Sequence, residues 1–137
     1  MTSRSPNAQL RSVRQFDHEG MEVYRRALDF VKTASAIRKG LLPGRSGLAD
    51  QLDRAAVSIA LNIAEGAGEF ARREKARFYR IARRSATECA AILDVIAELE
   101  LASCESIDTS KDNLRTIVAM LVGLGKWAEG AAPKSQD

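Results

Sequence analysis

Apolar side chains return every third or fourth residue in four successive stretches of this chain, and that rhythm belongs to helices. A half-buried strand would alternate with period two, whereas positions i, i+3, i+4 and i+7 share one face of a helix. The first stretch runs from about Glu19 to Arg38, with Tyr24, Ala27, Leu28, Val31 and Ala34 in register. Gly40 reads as its C-cap and Pro43-Gly44 as the following turn. The second runs from about Ser46, a capping residue, to Glu65, with Gly66 as its stop. Leu48, Leu52, Ala55, Ile59 and Ile63 form one stripe there, and Val57, Leu61 and Ala64 form another. A helix apolar on two faces is covered from two sides, so this one is expected at the centre or against a neighbouring subunit.

The third stretch, from about Ala71 to Leu101, is the longest. Phe78, Ile81, Ala82, Ser85, Cys89, Ile92, Ile96 and Leu99 make its seam. The fourth opens at Asp108 or Thr109 and ends near Ala128, with Leu114, Ile117, Leu121 and Leu124 on its face and Trp127 near its end. Aromatic residues are only 5% of the chain, and the small aliphatic remainder suits helix packing better than a sandwich. Short connections favour antiparallel neighbours. The expected fold is all-α, an antiparallel up-down-up-down four-helix bundle over residues 18–129, with flexible tails over 1–17 and 130–137.

Nothing resembling a secretory h-region follows the polar start of the chain, and no run reaches the roughly 18 apolar residues of a membrane span. A cytoplasmic protein without a membrane partner is expected. Two cysteines, Cys89 and Cys104, give no disulfide framework and are read as reduced thiols.

A reaction centre needs nucleophiles, bases or ligands that converge. His18 is the single histidine and is read as a solvated residue at the edge of the N-terminal tail. Gly66-Ala67-Gly68 follows a helix rather than a strand, unlike a phosphate-cradling loop. No catalytic residue, cofactor or metal site is therefore expected. Arg54, Ser58, Asn62 and Glu65 form a polar row along the second helix. The row is read as structural, fixing helix register through hydrogen bonds with Glu88 of the third helix, because an unmet buried polar group costs roughly 1–3 kcal/mol. The enzyme alternative would need an open pocket around Arg54, Asn62 and Glu65.

Charge singles out one binding surface. The chain carries a net +3, but residues 1–84 hold 17 Lys and Arg against 9 Asp and Glu, and residues 85–137 hold 4 against 9. At about 100° per residue, Arg72, Arg73, Arg77, Arg80, Arg83 and Arg84 fall within roughly 140° of arc, opposite the apolar seam. Arginine forks match phosphate oxygens. Nucleic acid is one reading. The other is a solvated face or one covered by acidic groups of a second copy, since Asp94 and Glu98 continue it with opposite sign. Aromatic interleaving among the arginines is poor, with Phe78 placed in the seam and Tyr79 left nearby, so base stacking on single strands is not signalled.

The run Asp50-Gln51-Leu52-Asp53-Arg54-Ala55-Ala56-Val57-Ser58-Ile59 continues into Asn62-Ile63-Ala64-Glu65-Gly66. With Phe78-Tyr79-Arg80-Ile81-Ala82, Ser85-x-x-Glu88 and Met120-Leu121-Val122-Gly123-Leu124, it resembles the bacterial four-helix-bundle family that includes the intervening-sequence proteins of large-subunit ribosomal RNA genes. The resemblance covers about residues 19 to 128. That family is similar in fold to the accessory protein of diversity-generating retroelements. The resemblance implies a closed homo-oligomer, a pentamer, whose basic surface holds nucleic acid or a reverse transcriptase, and it brings no catalytic residue. Three departures stand out. Arg84 replaces a usual glycine before the serine, Glu69 a common basic residue, and the Glu98-Leu99-Glu100-Leu101 segment lacks a usual glycine.

Overall fold

The computed structural model describes residues 16–130, so nearly all of both expected tails lies outside the described residues. Four helices follow one another: α1 (Glu22–Gly40), α2 (Ser46–Gly68), α3 (Arg72–Glu98) and α4 (Cys104–Ala128). Single 3-10 turns at Asp17–Gly20 and Pro43–Arg45 precede α1 and α2. No strand occurs among the described residues. Each helix packs on its neighbours in sequence, and α1 also packs on α4, which makes the all-α four-helix bundle the periodicity predicts. Contacts between α2 and α3 pair Ser58 with Ser85 and Ala67 with Lys75, so these two helices run antiparallel. Arg80 with Glu129 and Asp94 with Lys111 show that α3 and α4 run antiparallel as well.

The core is mostly aliphatic, with Phe30 and Tyr79 as its aromatics. Phe30, Leu52, Ile59, Ile63, Leu93, Ile96, Leu114, Ile117 and Leu121 are fully buried. Each such side chain contributes roughly 1.5–3 kcal/mol through burial. The α2 stripe from Leu52 to Ile63 lies inside as expected. Its second stripe does not: Val57 is 41% and Leu61 59% exposed, so one chain leaves that face uncovered.

On α3 the buried side is rotated from the expected seam. Phe78 and Ile81 are only half-buried and Leu99 is exposed, while Tyr79 is buried together with Ala76, Ala82, Ala86 and Leu93. The cause is Gly66. A β-carbon there would lie 2.7 Å from Cε1 of Tyr79 and 3.2 Å from Cβ of Phe78. The missing side chain makes the space that admits the tyrosine ring. Gly66 is therefore not a helix stop, and α2 runs on to Gly68. Lys75 of α3 then donates from Nζ to the carbonyls of Gly66 and Ala67 at 3.2 and 2.9 Å, placing a cation on the negative end of α2. Gly66→Ala is expected to destabilise the protein by about 1–3 kcal/mol, since the buried ring has to move. A lower denaturation midpoint with an unchanged slope would record this, and a parent-like midpoint would show the ring has room to yield.

Other helix ends also differ from expectation. Gly40 is the last residue of α1, and Ser46 opens α2 without a side-chain cap. The fourth helix starts at Cys104 rather than at Asp108 or Thr109, because Ser103 Oγ accepts the Ser106 N–H at 3.1 Å. The third ends at Glu98, short of Leu101. There the Leu101 N–H bonds Ile96 O at 3.0 Å and the Glu100 N–H bonds Ala97 O at 2.9 Å. This closure requires a left-handed residue, and Glu100 takes it with φ 56°. A glycine at this position would adopt that angle without strain. Glu100→Gly is expected to stabilise the protein by about 0.5–1 kcal/mol in thermal or denaturant unfolding, and a loss of stability would contradict the strain.

Two smaller points correct the sequence reading. His18 is half-buried rather than solvated, with its ring edge-on to Tyr24 at 4.5 Å and stacked with Phe16 at 5.8 Å. Cys89 is buried in the core, where burial, and after it the charge of Glu88, pushes its thiol up to about 12; Cys104 is exposed, and both are free thiols.

Candidate anion-binding face of the third helix

All six arginines of the arc are exposed. The helix period turns Ala76, Tyr79, Ala82 and Ala86 inward, and Arg72, Arg73, Arg77, Arg80, Arg83 and Arg84 therefore turn outward. Their partners within the chain are few. Arg77 lies 3.8 Å from Glu74 and 5.0 Å from the ring centroid of Phe78. Arg80 meets Glu129 at 3.3 Å. Arg72, Arg73, Arg83 and Arg84 have no ion pair among the described residues, and surface pairs of the Arg77 kind contribute only about 0–1 kcal/mol.

The antiparallel packing of α3 and α4 adds residues that the sequence did not single out. The end of α4 comes alongside the start of α3. A hollow of about 270 Å³ between them is lined by Arg80, Arg83, Val122, Gly125, Lys126 and Glu129, with Ala76 and Tyr79 behind. It continues past Ala76 and Arg80 into a groove of about 560 Å³ that reaches Arg72, Arg73, Ala128 and Gly130. Lys126 adds a cation and Glu129 an anion. Neither shows in the arc of one helix, because both lie more than forty residues further along the chain. Only the pairing of helix ends finds them. Trp127 belongs here too, half exposed, with the Arg72 guanidinium carbon 4.6 Å from its ring centroid. Tyr79, the aromatic the sequence offered, is 3% exposed and turned into the core.

Asp94, expected to extend the face with opposite sign, is engaged by Lys111 of α4 at 2.5 Å. Glu98 is exposed at the far end of the helix.

The polar row of α2 is assembled differently from its expected form. Arg54 and Glu65 are exposed, and Ser58 and Asn62 are half-buried. Ser58 Oγ shares a hydrogen bond of 2.8 Å with Ser85 Oγ, and Asn62 Nδ2 donates to the Ser58 carbonyl at 2.9 Å and to its hydroxyl at 3.1 Å. Glu88 does not join them. Three residues beyond Ser85, it lies about 60° further round α3 and faces solvent. Ser85, 8% exposed, is the interhelical partner the row finds.

The row itself borders a groove of about 590 Å³, lined by its Arg54, Ser58 and Asn62 together with Arg38, Asp50, Asp53, Val57 and Leu61. Arg38 ties α1 to α2 there, 2.7 Å from Asp50 and 2.8 Å from Asp53, and hydrogen bonds to Asp50 and then Asp53 hold its guanidinium more firmly charged. Glu65 is not among the residues lining this groove. No three His, Cys, Asp or Glu side chains gather among the described residues, and none of their helices is long and apolar enough to cross a membrane.

Four packed helices with an arginine face and an uncovered apolar stripe define a small helical-bundle protein with two outward-looking surfaces. The chain belongs to the 23S rRNA-intervening sequence protein family, whose family model matches residues 19–123. It is also similar in fold to the crystal structure of a protein of unknown function from the S23 ribosomal protein family of Bacteroides thetaiotaomicron. The two align with a TM-score of 0.71 at 22% identity, over 76% of this chain and 98% of that one. No curated protein matches the chain.

Proposed function

We propose that this chain is a non-enzymatic bundle that assembles into a closed ring of identical copies, and that its arginine face holds nucleic acid or a nucleic-acid-processing protein. The observation that carries the reading is the exposure of six guanidiniums on one face, four of them without an ion pair among the described residues. The family membership supports it, as does the pentameric ring implied by the resemblance. Self-association is supported by Val57 and Leu61, which together leave an apolar strip along α2 in contact with water.

A purely structural homo-oligomer is the second reading. The uneven charge favours it, since the basic first part of one copy can meet the acidic second part of another. Binding of duplex DNA and of structured RNA at two salt concentrations separates the two. Six phosphate contacts on a duplex give a log–log salt slope of about −5. The absence of salt-sensitive binding defeats the first reading and leaves the second.

A further inference from the structure

The neighbourhood of Trp127 narrows the kind of nucleic acid this face would take. Indole is the largest flat apolar surface a side chain offers, and 49% of Trp127 stays in water at the end of α4. The Arg72 guanidinium lies over that ring. Arg72 also lines the groove that runs on past Arg73, Ala76 and Arg80 toward Arg83 and Lys126. Five cations thus border one continuous depression that opens beside an aromatic platform. Glu129, paired with Arg80, is the one acid lining it.

A basic track explains attraction to any phosphate backbone. It does not explain an exposed indole, because a duplex hides the faces of its bases inside its own stack. A single strand or a loop presents those faces, and aromatic and guanidinium planes hold them by stacking. From this juxtaposition we infer that the occupant is a single-stranded or looped segment of nucleic acid, with an unpaired base against Trp127 and Arg72 and its phosphates along the α3–α4 groove. The inference rests on the nucleic-acid reading above and specifies its ligand.

Trp127 is the only tryptophan of the chain, so intrinsic fluorescence reports on this platform alone. The full-length protein is titrated with a short unstructured oligouridylate and, separately, with a duplex. The oligouridylate is expected to quench the emission, and the duplex is not. Trp127→Ala is expected to weaken oligouridylate binding by about 5- to 100-fold while leaving duplex affinity and the helical signal at the assay temperature unchanged. Trp127→Phe should keep most of the single-strand affinity, because a ring face remains. The inference is overturned if Trp127→Ala binds the oligouridylate like the parent, or if the duplex quenches equally. If binding ignores Trp127→Ala but collapses when the arginines are reversed, the nucleic-acid reading survives and the stacking site does not. If neither probe binds, both fall.

Discussion

Ile59→Asp is expected to leave the protein unfolded at room temperature. Ile59 is fully buried in the middle of α2, at the centre of the bundle core. The substitution forfeits roughly 1.5–3 kcal/mol of apolar burial. An uncompensated buried charge costs about 3–5 kcal/mol more. A domain of this size has a net stability of about 5–15 kcal/mol, so the sum takes most or all of it. Circular dichroism should show helix content lost or a melt shifted far down. Leu61→Asp, two residues along but 59% exposed, is the control. It should keep the helical signal and change only the assembly state. A parent-like melt for Ile59→Asp would mean that the core is misplaced.

Reversing Arg73, Arg77, Arg80 and Arg84 to Glu together is expected to lower nucleic-acid affinity by on the order of 10³-fold near physiological salt. Four attractive contacts become four repulsive ones, and like charges at an interface cost several kcal/mol. Each 1.4 kcal/mol is a factor of ten. The salt slope should flatten as well, since two of the arc's arginines remain to release counterions. All four side chains are exposed, so the variant should fold like the parent. Unchanged binding by a folded variant would place the interface elsewhere.

How far the sequence was legible follows from which forces are local. The period of Leu52, Ile59 and Ile63, or of Leu114, Ile117 and Leu121, depends only on neighbours along one helix, and it gave both the helices and much of their core. The arginine arc is equally local, and all six residues are where the period puts them. The misread features depend on pairs of helices. Tyr79 is in the core because Gly66, thirteen residues back on another helix, leaves room for it. Ser58 meets Ser85 rather than Glu88 because two antiparallel helices stand in one register and not the next. Helix ends were misjudged for a related reason. Glycine and serine mark stops and caps only when the backbone needs them, and here Glu100 took the left-handed turn while Gly66 stayed helical. The Arg72–Trp127 platform had no signal at all within a single helix; it exists because the start of α3 lies beside the end of α4.

An atomic structure of the assembled protein bears most directly on the account, because it shows both outward surfaces at once. Val57 and Leu61 are expected to be covered by a neighbouring copy, while Arg73, Arg83 and Arg84 stay open to solvent. Arginines of the arc locked into ion pairs with a neighbour's Glu88 or Glu98, with the α2 strip left bare, would contradict it.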